Sequence, residues 1–426
     1  MGPRQRSRAL VLSLACALAT ALTFATPDVA KAAVAKDPWL PLPPLPSLAL
    51  KDDPFYEVPS PLPAGKPGDV IKAKDIGLST YPVARATKLM YLSTNNRRQR
   101  VAVTGLLLTP RNQRPGTANP LVVHTPGTRG LADHCAPSRQ ADLLAMNASN
   151  PEYSILEYQQ FLLRGIAVVV TDYVGTGTAG DPEYLVGRPA GYNGLDALRA
   201  AMQVPGSGVS LSSPVGISGF SQGGQAAGWA GELQPSYAPE LRLEGILAVA
   251  APADMRAEIQ HLNGDVLGAE LAVAAIIGLD RANPQLRLES RLTPVGRRVV
   301  DNVKRSCGTE GLLTHGFVRS SDITAPDVLE SPTWQKAFDA SRLGKDRPGA
   351  PVYMIHGKLD TLVPYAQGHQ LYRDWCQRGA DVTFETLPLM EHLTSHFLGS
   401  SNGVDWLTQR LRGAPAATGC RKVGLR

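Results

Sequence analysis

A chain of 426 residues, 43% of them hydrophobic, has enough apolar material for a sizeable core and enough length for one large domain or two small ones. Its formal charge of +6 depends on the N-terminus: residues 1–32 carry Arg4, Arg6, Arg8 and Lys31 against Asp28, four basic to one acidic, so the remainder stands at +3. With so mild a surplus and no Lys/Arg cluster after Arg100, the charge pattern excludes a nucleic-acid footprint.

The three arginines precede an apolar run, Ala9 to Ala25, and then small residues around Ala30-Lys31-Ala32, the order of a cleavable secretory signal. Residues 1–32 are therefore expected to be removed and the protein to be secreted. A membrane anchor fits less well, because the run holds Ser13, Thr20 and Thr23 and is marginal for a span. Lipid attachment at Cys16 is disfavoured by Ser13 in place of a large aliphatic residue. Residues 33–68 are crowded with proline, including Pro38, Pro41, Pro43, Pro44, Pro59, Pro61 and Pro63, and read as an extended arm. Arg97, Arg98 and Arg100 suit a solvated turn between strands.

From Val101 onward, strand-like runs alternate with helical patterns. The runs are Val101–Leu108, Leu121–His124, Ile166–Asp172, Val215–Ser218, Ile246–Ala250, Val352–His356 and Val382–Leu387; the helical patterns include Ile155, Leu156, Gln159, Leu162 and Leu195, Leu198, Met202. Short unbroken β-branched runs between helices predict an α/β fold with a mostly parallel central sheet flanked by helices. The domain reading is a core over 69–253 and 350–426, interrupted by a helical cap or lid over 254–349, an interval too long for a structureless loop. Within it Val266–Leu279 is almost wholly apolar and predicts a buried core helix of the cap; the alternative is that part of it lines an acyl pocket or acts as a lid at a lipid surface. Gly175-Thr176-Gly177-Thr178-Ala179-Gly180 imitates a dinucleotide fingerprint, but Pro182 and the late helical pattern near Tyr192 argue for a glycine-rich loop instead. No cofactor is expected.

Gly219-Phe220-Ser221-Gln222-Gly223 lies between the strand Val215–Ser218 and the helical stretch Ala226–Leu233. A serine hydroxyl becomes an effective nucleophile when a sharp strand-to-helix turn presents it, and glycines on both sides leave room for that turn. Such a serine needs a base and an acid that orients it, supplied in the order Ser, Asp, His from loops after later strands. Asp360 follows Val352–His356 in His356-Gly357-Lys358-Leu359-Asp360; Asp381, Glu385 and Glu391 are its weaker rivals. His392 follows Val382–Leu387 as the base, with His396 as runner-up. The His392/His396 spacing also occurs in zinc sites, but the H-E-x-x-H glutamate is missing and no metal is expected. For the oxyanion, the backbone N–H of Gln222 is one donor, and the loop after Leu121–His124 supplies Thr128 or Gly130 as the other. Removing the signal leaves Cys135, Cys307, Cys376 and Cys420, an even set in an exported chain, hence two disulfides with three connectivities open.

Taken together, His124-Thr125-Pro126-Gly127-Thr128-Arg129-Gly130 with Cys135-Ala136-Pro137-Ser138, the Gly219–Ala227 turn, Ser236–Leu241, His356–Tyr365 and Met390–His396 resemble the secretory lipase family, the lipase A type of yeasts and its actinobacterial relatives. The resemblance covers most of the mature chain. It implies an α/β-hydrolase with a large helical cap, a triad at Ser221, Asp360 and His392, disulfides paired in sequence order, and cofactor-free hydrolysis of acylglycerols or other carboxylic esters. The expected partner is a lipid or small-molecule ester, with contact to a lipid interface and a monomeric state. A peptidase or acyltransferase on the same fold, or a catalytically silent binding protein, are the alternatives.

Overall fold

The computed structural model describes residues 53–77, 82–113, 118–141, 152–308 and 316–424. The expected signal peptide and the arm up to residue 52 lie outside them. Ten strands form one sheet in the order β1-β2-β3-β5-β4-β6-β7-β8-β9-β10. The predicted runs become β3 (Arg100–Pro110), β4 (Leu121–Thr125), β5 (Ala167–Thr171), β6 (Val215–Phe220), β7 (Leu243–Val249), β8 (Val352–Gly357) and β9 (Val382–Leu387). Every residue of β4, β5, β6 and β8 is buried, as unbroken apolar runs require when helices cover both faces. All pairings from β5 through β4, β6, β7, β8, β9 to β10 are parallel, while β1, β2, β3 and β5 pair antiparallel.

Chain direction across the sheet reverses at β4. The chain runs from β4 to β5 on one side and then to β6 on the other, so a crevice opens beyond the carboxyl ends of β4 and β6. Thr125 and Gly219 pair at that end. One face of the sheet packs on the helices Gly187–Ala201 and Gln222–Tyr237 through Leu195, Leu198, Trp229 and Ala230. Ile155–Leu163 and Ser400–Leu411 cover the other through Tyr158, Phe161, Val404 and Leu407.

Three strands fall outside the sequence reading. In β2 (Ala84–Thr94), Met90 is buried by Phe55 and Tyr56 from the proline-rich arm. The same arm supplies Asp53, 3.3 Å from the otherwise buried Lys88. β1 (Val70–Ile76) pairs on β2, and the edge strand β10 (Cys420–Gly424) is largely exposed. Asn95 and Gln99 bond across the expected arginine turn between β2 and β3.

Between β7 and β8 the chain folds into the helices Met255–Leu262, Ala269–Ala282, Pro294–Val303 and Pro332–Ala340, with shorter turns between them. The apolar helix starts at Ala269 rather than Val266: the Asp265 carboxylate accepts from Leu267 N and Gly268 N, 2.8 and 2.7 Å away, and leaves Val266 and Leu267 exposed ahead of the first turn. Gly278 lets this helix approach the Tyr184 backbone, where a Cβ would come within 2.3 Å of the carbonyl oxygen.

Cys135 is bonded to Cys307 and Cys376 to Cys420, in sequence order, at separations of 172 and 44 residues. On the chain-entropy model these cross-links contribute about 5 and about 4 kcal/mol. The first ties the loop after β4 to the inserted helices, and the second holds β10.

Glu232, on the helix Gln222–Tyr237, is pushed up to about 7 by burial, against hydrogen bonds from Trp375 Nε1 and Gly344 N at 2.8 Å. Between ~4.3, where an unfolded glutamate ionises, and about 7 the folded chain keeps a proton the unfolded chain has lost, so stability falls as pH rises through that window. Glu232→Gln is expected to remove about 3 kcal/mol of that decline, read as urea midpoints at pH 4.5 and 7.5.

Candidate active site

Ser221 sits between β6 and its helix with φ 58° and ψ −122°, a conformation costly for a side chain with a Cβ and one that packing on all sides has to impose. Its N–H bonds the Val249 carbonyl at 2.8 Å, tying the turn to β7. A Cβ on Gly219 would stand 2.1 Å from Gly223 O, and one on Gly223 would stand 1.8 Å from Thr125 O. Both obstacles are backbone, so neither glycine has a small side-chain substitute. Gly223→Ala is expected to cost several kcal/mol of stability, on the order of a severe overpacking substitution, seen as a large drop in Tm.

Asp360 leaves β8 in a loop that wraps its carboxylate. Oδ1 accepts from Leu362 N and Val363 N at 3.0 and 2.8 Å, while Oδ2 lies 2.7 Å from His392 Nδ1. His356 Nε2 bonds Val363 O at 2.9 Å and stands 3.5 Å from Oδ2, so it braces the acid loop. Burial raises this carboxyl's pKa, but the histidines at 356 and 392 outweigh it and hold the group well below the usual carboxylate range. It is ionised at neutral pH.

His392 opens a single turn after β9, where the Glu391 carboxylate accepts from Leu393 N and Thr394 N at 3.1 and 2.7 Å. Its Nε2 is 2.9 Å from Ser221 Oγ. With a proton on Nδ1 donated to Asp360, the Nε2 lone pair faces the serine hydroxyl and accepts from it.

The rivals are occupied elsewhere. His396 is buried, with Nδ1 3.1 Å from Ser400 Oγ and 3.8 Å from Glu157 Oε2. Burial, helped by His124 and His392 and opposed by Glu157, pushes it down to about 4. Its ring stacks on Phe220 with centroids 4.3 Å apart, and Phe220 in turn lies 4.7 Å from the His392 ring, so both imidazoles pack on one phenyl ring while their nitrogens bond different partners. Glu385 accepts from Tyr353 OH at 2.9 Å, Asp381 from Gly419 N, and Glu391 caps its own turn. His134 lies beside the sulfurs of Cys135 and Cys307, which are bonded to each other.

A small cavity opens at Ser221, with Gln222, Thr128 and His392 among its walls. Thr128 is held on both ends: Oγ1 is 2.6 Å from Tyr184 OH, and its carbonyl accepts from Tyr153 OH at 3.2 Å. Gly130 is placed otherwise. It lies in a bridge to Cys307 with φ 108°, and a Cβ there would meet Cys307 Cα at 2.5 Å, so this glycine admits the disulfide rather than lining the cavity at the serine. Leu271, Ala272 and Ala275 of the apolar inserted helix do line it. Gly175, Gly177 and Gly180 form a loop of positive-φ turns, and the next helix begins only at Gly187, so the fingerprint lacks its helix N-terminus.

Tyr184 and Glu157 carry no motif, and His356, though it opens the His356–Tyr365 segment, was not singled out by sequence for this site. Glu157 bonds His124 Nδ1 at 3.2 Å and also Ser218 Oγ, beneath the nucleophile strand. Burial raises its pKa, but His124 and the other partners outweigh this and hold it below the ordinary value.

A parallel sheet with a reversal at β4, a serine at the strand-to-helix turn of β6, and an acid and an imidazole from the loops after β8 and β9 define an α/β-hydrolase of the class that cleaves carboxylic esters. Residues 141–419 match the model of the secretory lipase family, and the chain belongs to that family. A secreted triacylglycerol lipase of Malassezia restricta is 27% identical over 385 residues, covering 85% of this chain and 80% of the relative. A Mycobacterium tuberculosis protein named a probable inactive lipase is 28% identical over 380 residues, covering 85% and 83%. Among solved structures, lipase A of Candida antarctica superposes with a TM-score of 0.79 over 90% of both chains at 24% identity, a likeness of fold. Family and relatives together place the chain among secreted hydrolases.

Proposed function

We propose that the chain hydrolyses lipophilic esters, acylglycerols among them, through an acyl-enzyme on Ser221. The observation that carries this is His392 reaching Ser221 Oγ at 2.9 Å through one nitrogen and Asp360 at 2.7 Å through the other. His392 takes the serine proton as Oγ attacks the ester carbonyl, and then passes it to the leaving alcohol. Asp360 holds the ring and offsets its transient charge. The N–H groups of Gln222, at the start of the helix, and of Thr128 receive the carbonyl oxygen as it becomes negative. Water activated by His392 then releases the acid.

The apolar wall from Ala269–Ala282 suits an acyl chain, and the region 254–349 acts as the cap that shelters it. Leu359, Leu389 and Leu393 flank the acid and the base and are 55%, 80% and 43% exposed, which suits contact with a lipid surface. Cleavage near Ala32 would release the mature enzyme. One chain supplies Ser221, Asp360 and His392, so no second copy is needed to complete the site.

A relative named as inactive makes the silent fold the second reading, and the bonded Ser221–His392–Asp360 series speaks against it here. Stopped-flow mixing with p-nitrophenyl butyrate is expected to give a burst of about one p-nitrophenolate per chain, followed by a slower steady state. No burst and no turnover would remove the esterase reading.

A further inference from the structure

On its inserted-helix side the cavity at Ser221 is walled by Ile259, Leu262, Leu271 and Ala275, with one carboxyl among them, that of Glu258. Glu258 lies on the helix Met255–Leu262 and is 4% exposed. Its position is fixed. Oε2 accepts from Gln367 Nε2, and the amide oxygen of Gln367 accepts from Asp254 N at 3.0 Å, beside the Asp254 side chain that caps the same helix. Burial, with Asp360 and Asp254 adding to it, pushes the carboxyl well above its ordinary range in spite of the Gln367 bond. Burial among apolar side chains thus favours the protonated form of this carboxyl, and among the described residues its hydrogen-bond partner is Gln367. A neutral carboxyl in an apolar wall favours a ligand that accepts a hydrogen bond and disfavours a hydrocarbon that covers it without one.

We propose that Glu258 is a specificity-determining residue of the acyl site, donating a hydrogen bond to acyl groups that carry an ether, hydroxyl or keto oxygen along the chain and selecting them over plain hydrocarbon chains of equal length. This rests on the acyl-enzyme reading above. The transfer chemistry itself is unchanged, because Glu258 acts on the acyl group and not on the reacting carbonyl. A carboxyl present only to anchor Gln367 would leave acyl selectivity untouched, which separates the two roles.

The test compares p-nitrophenyl octanoate with an isostere in which one methylene beyond the third carbon is replaced by oxygen, each kcat/KM divided by its rate of hydroxide hydrolysis. The wild-type chain is expected to favour the ether-bearing ester roughly tenfold. Glu258→Met should abolish or reverse that ratio, and Glu258→Gln, which keeps an N–H donor, should retain most of it. A wild-type ratio near one overturns the proposal, as does a ratio unmoved in Glu258→Met. If Glu258→Met does not fold, the wild-type ratio decides together with Glu258→Gln. A wild-type chain that turns over neither ester and gives no burst contradicts the Ser221 reading instead, and is told apart by that.

Discussion

Ser221→Ala is expected to lower kcat for ester hydrolysis by on the order of 10⁶-fold while leaving the fold unchanged. In the proposed mechanism Oγ forms the bond to the substrate, and among the described residues it is the His392 imidazole that lies 2.9 Å from it, so no neighbouring hydroxyl inherits the role. Alanine has the same backbone restrictions as serine, and the φ of 58° is imposed by Val249, Gly219 and Gly223 rather than by the hydroxyl. The Tm should therefore stay within a few degrees of wild type. Activity within tenfold of wild type on p-nitrophenyl butyrate would move the nucleophile to another residue.

Asp360→Asn is expected to lower kcat by on the order of 10⁴-fold with little change in KM. The reason lies in the loop. Two backbone N–H groups, from Leu362 and Val363, point at the Oδ1 position and demand an oxygen there. The asparagine NH₂ is thereby forced to the Oδ2 position, facing His392 Nδ1. Donor meets donor unless the imidazole moves its proton to Nε2, and in that tautomer the ring has no lone pair to accept the Ser221 proton. Assays across pH 6–9 with the refolded variant check this, and a loss smaller than tenfold would show that the ring is oriented by something other than Asp360.

The hydrogen-bonded series Ser221, His392 and Asp360 was legible because each member follows a strand that announces itself by β-branched residues, and because the serine, carboxylate and imidazole come in the chain order expected of such a site. The strands β4, β5 and β6 were legible for the same reason. β2 was not, since Arg85 and Lys88 interrupt its pattern and its cover comes from Phe55, Tyr56 and Asp53 in the preceding arm. β10 depends on a disulfide to Cys376 and on pairing with β9, which local propensity does not encode. Gly130 shows a different limit: a glycine after a strand suits an oxyanion turn and a close backbone approach equally, and only the position of Cys307 separates them. The apolar helix was found, but its start was set by the Asp265 side chain rather than by hydrophobicity. Glu157 and Glu258 are single residues whose partners lie on other elements, so no spacing marked them.

The account depends on a serine hydroxyl that surrenders its proton to His392 while Asp360 holds the ring. Its most direct test is reaction of the purified chain with a fluorophosphonate, followed by peptide mass spectrometry. One adduct per chain on Ser221 is expected, with labelling lost in His392→Ala; an adduct on another residue, or none on a folded wild-type chain, would contradict it.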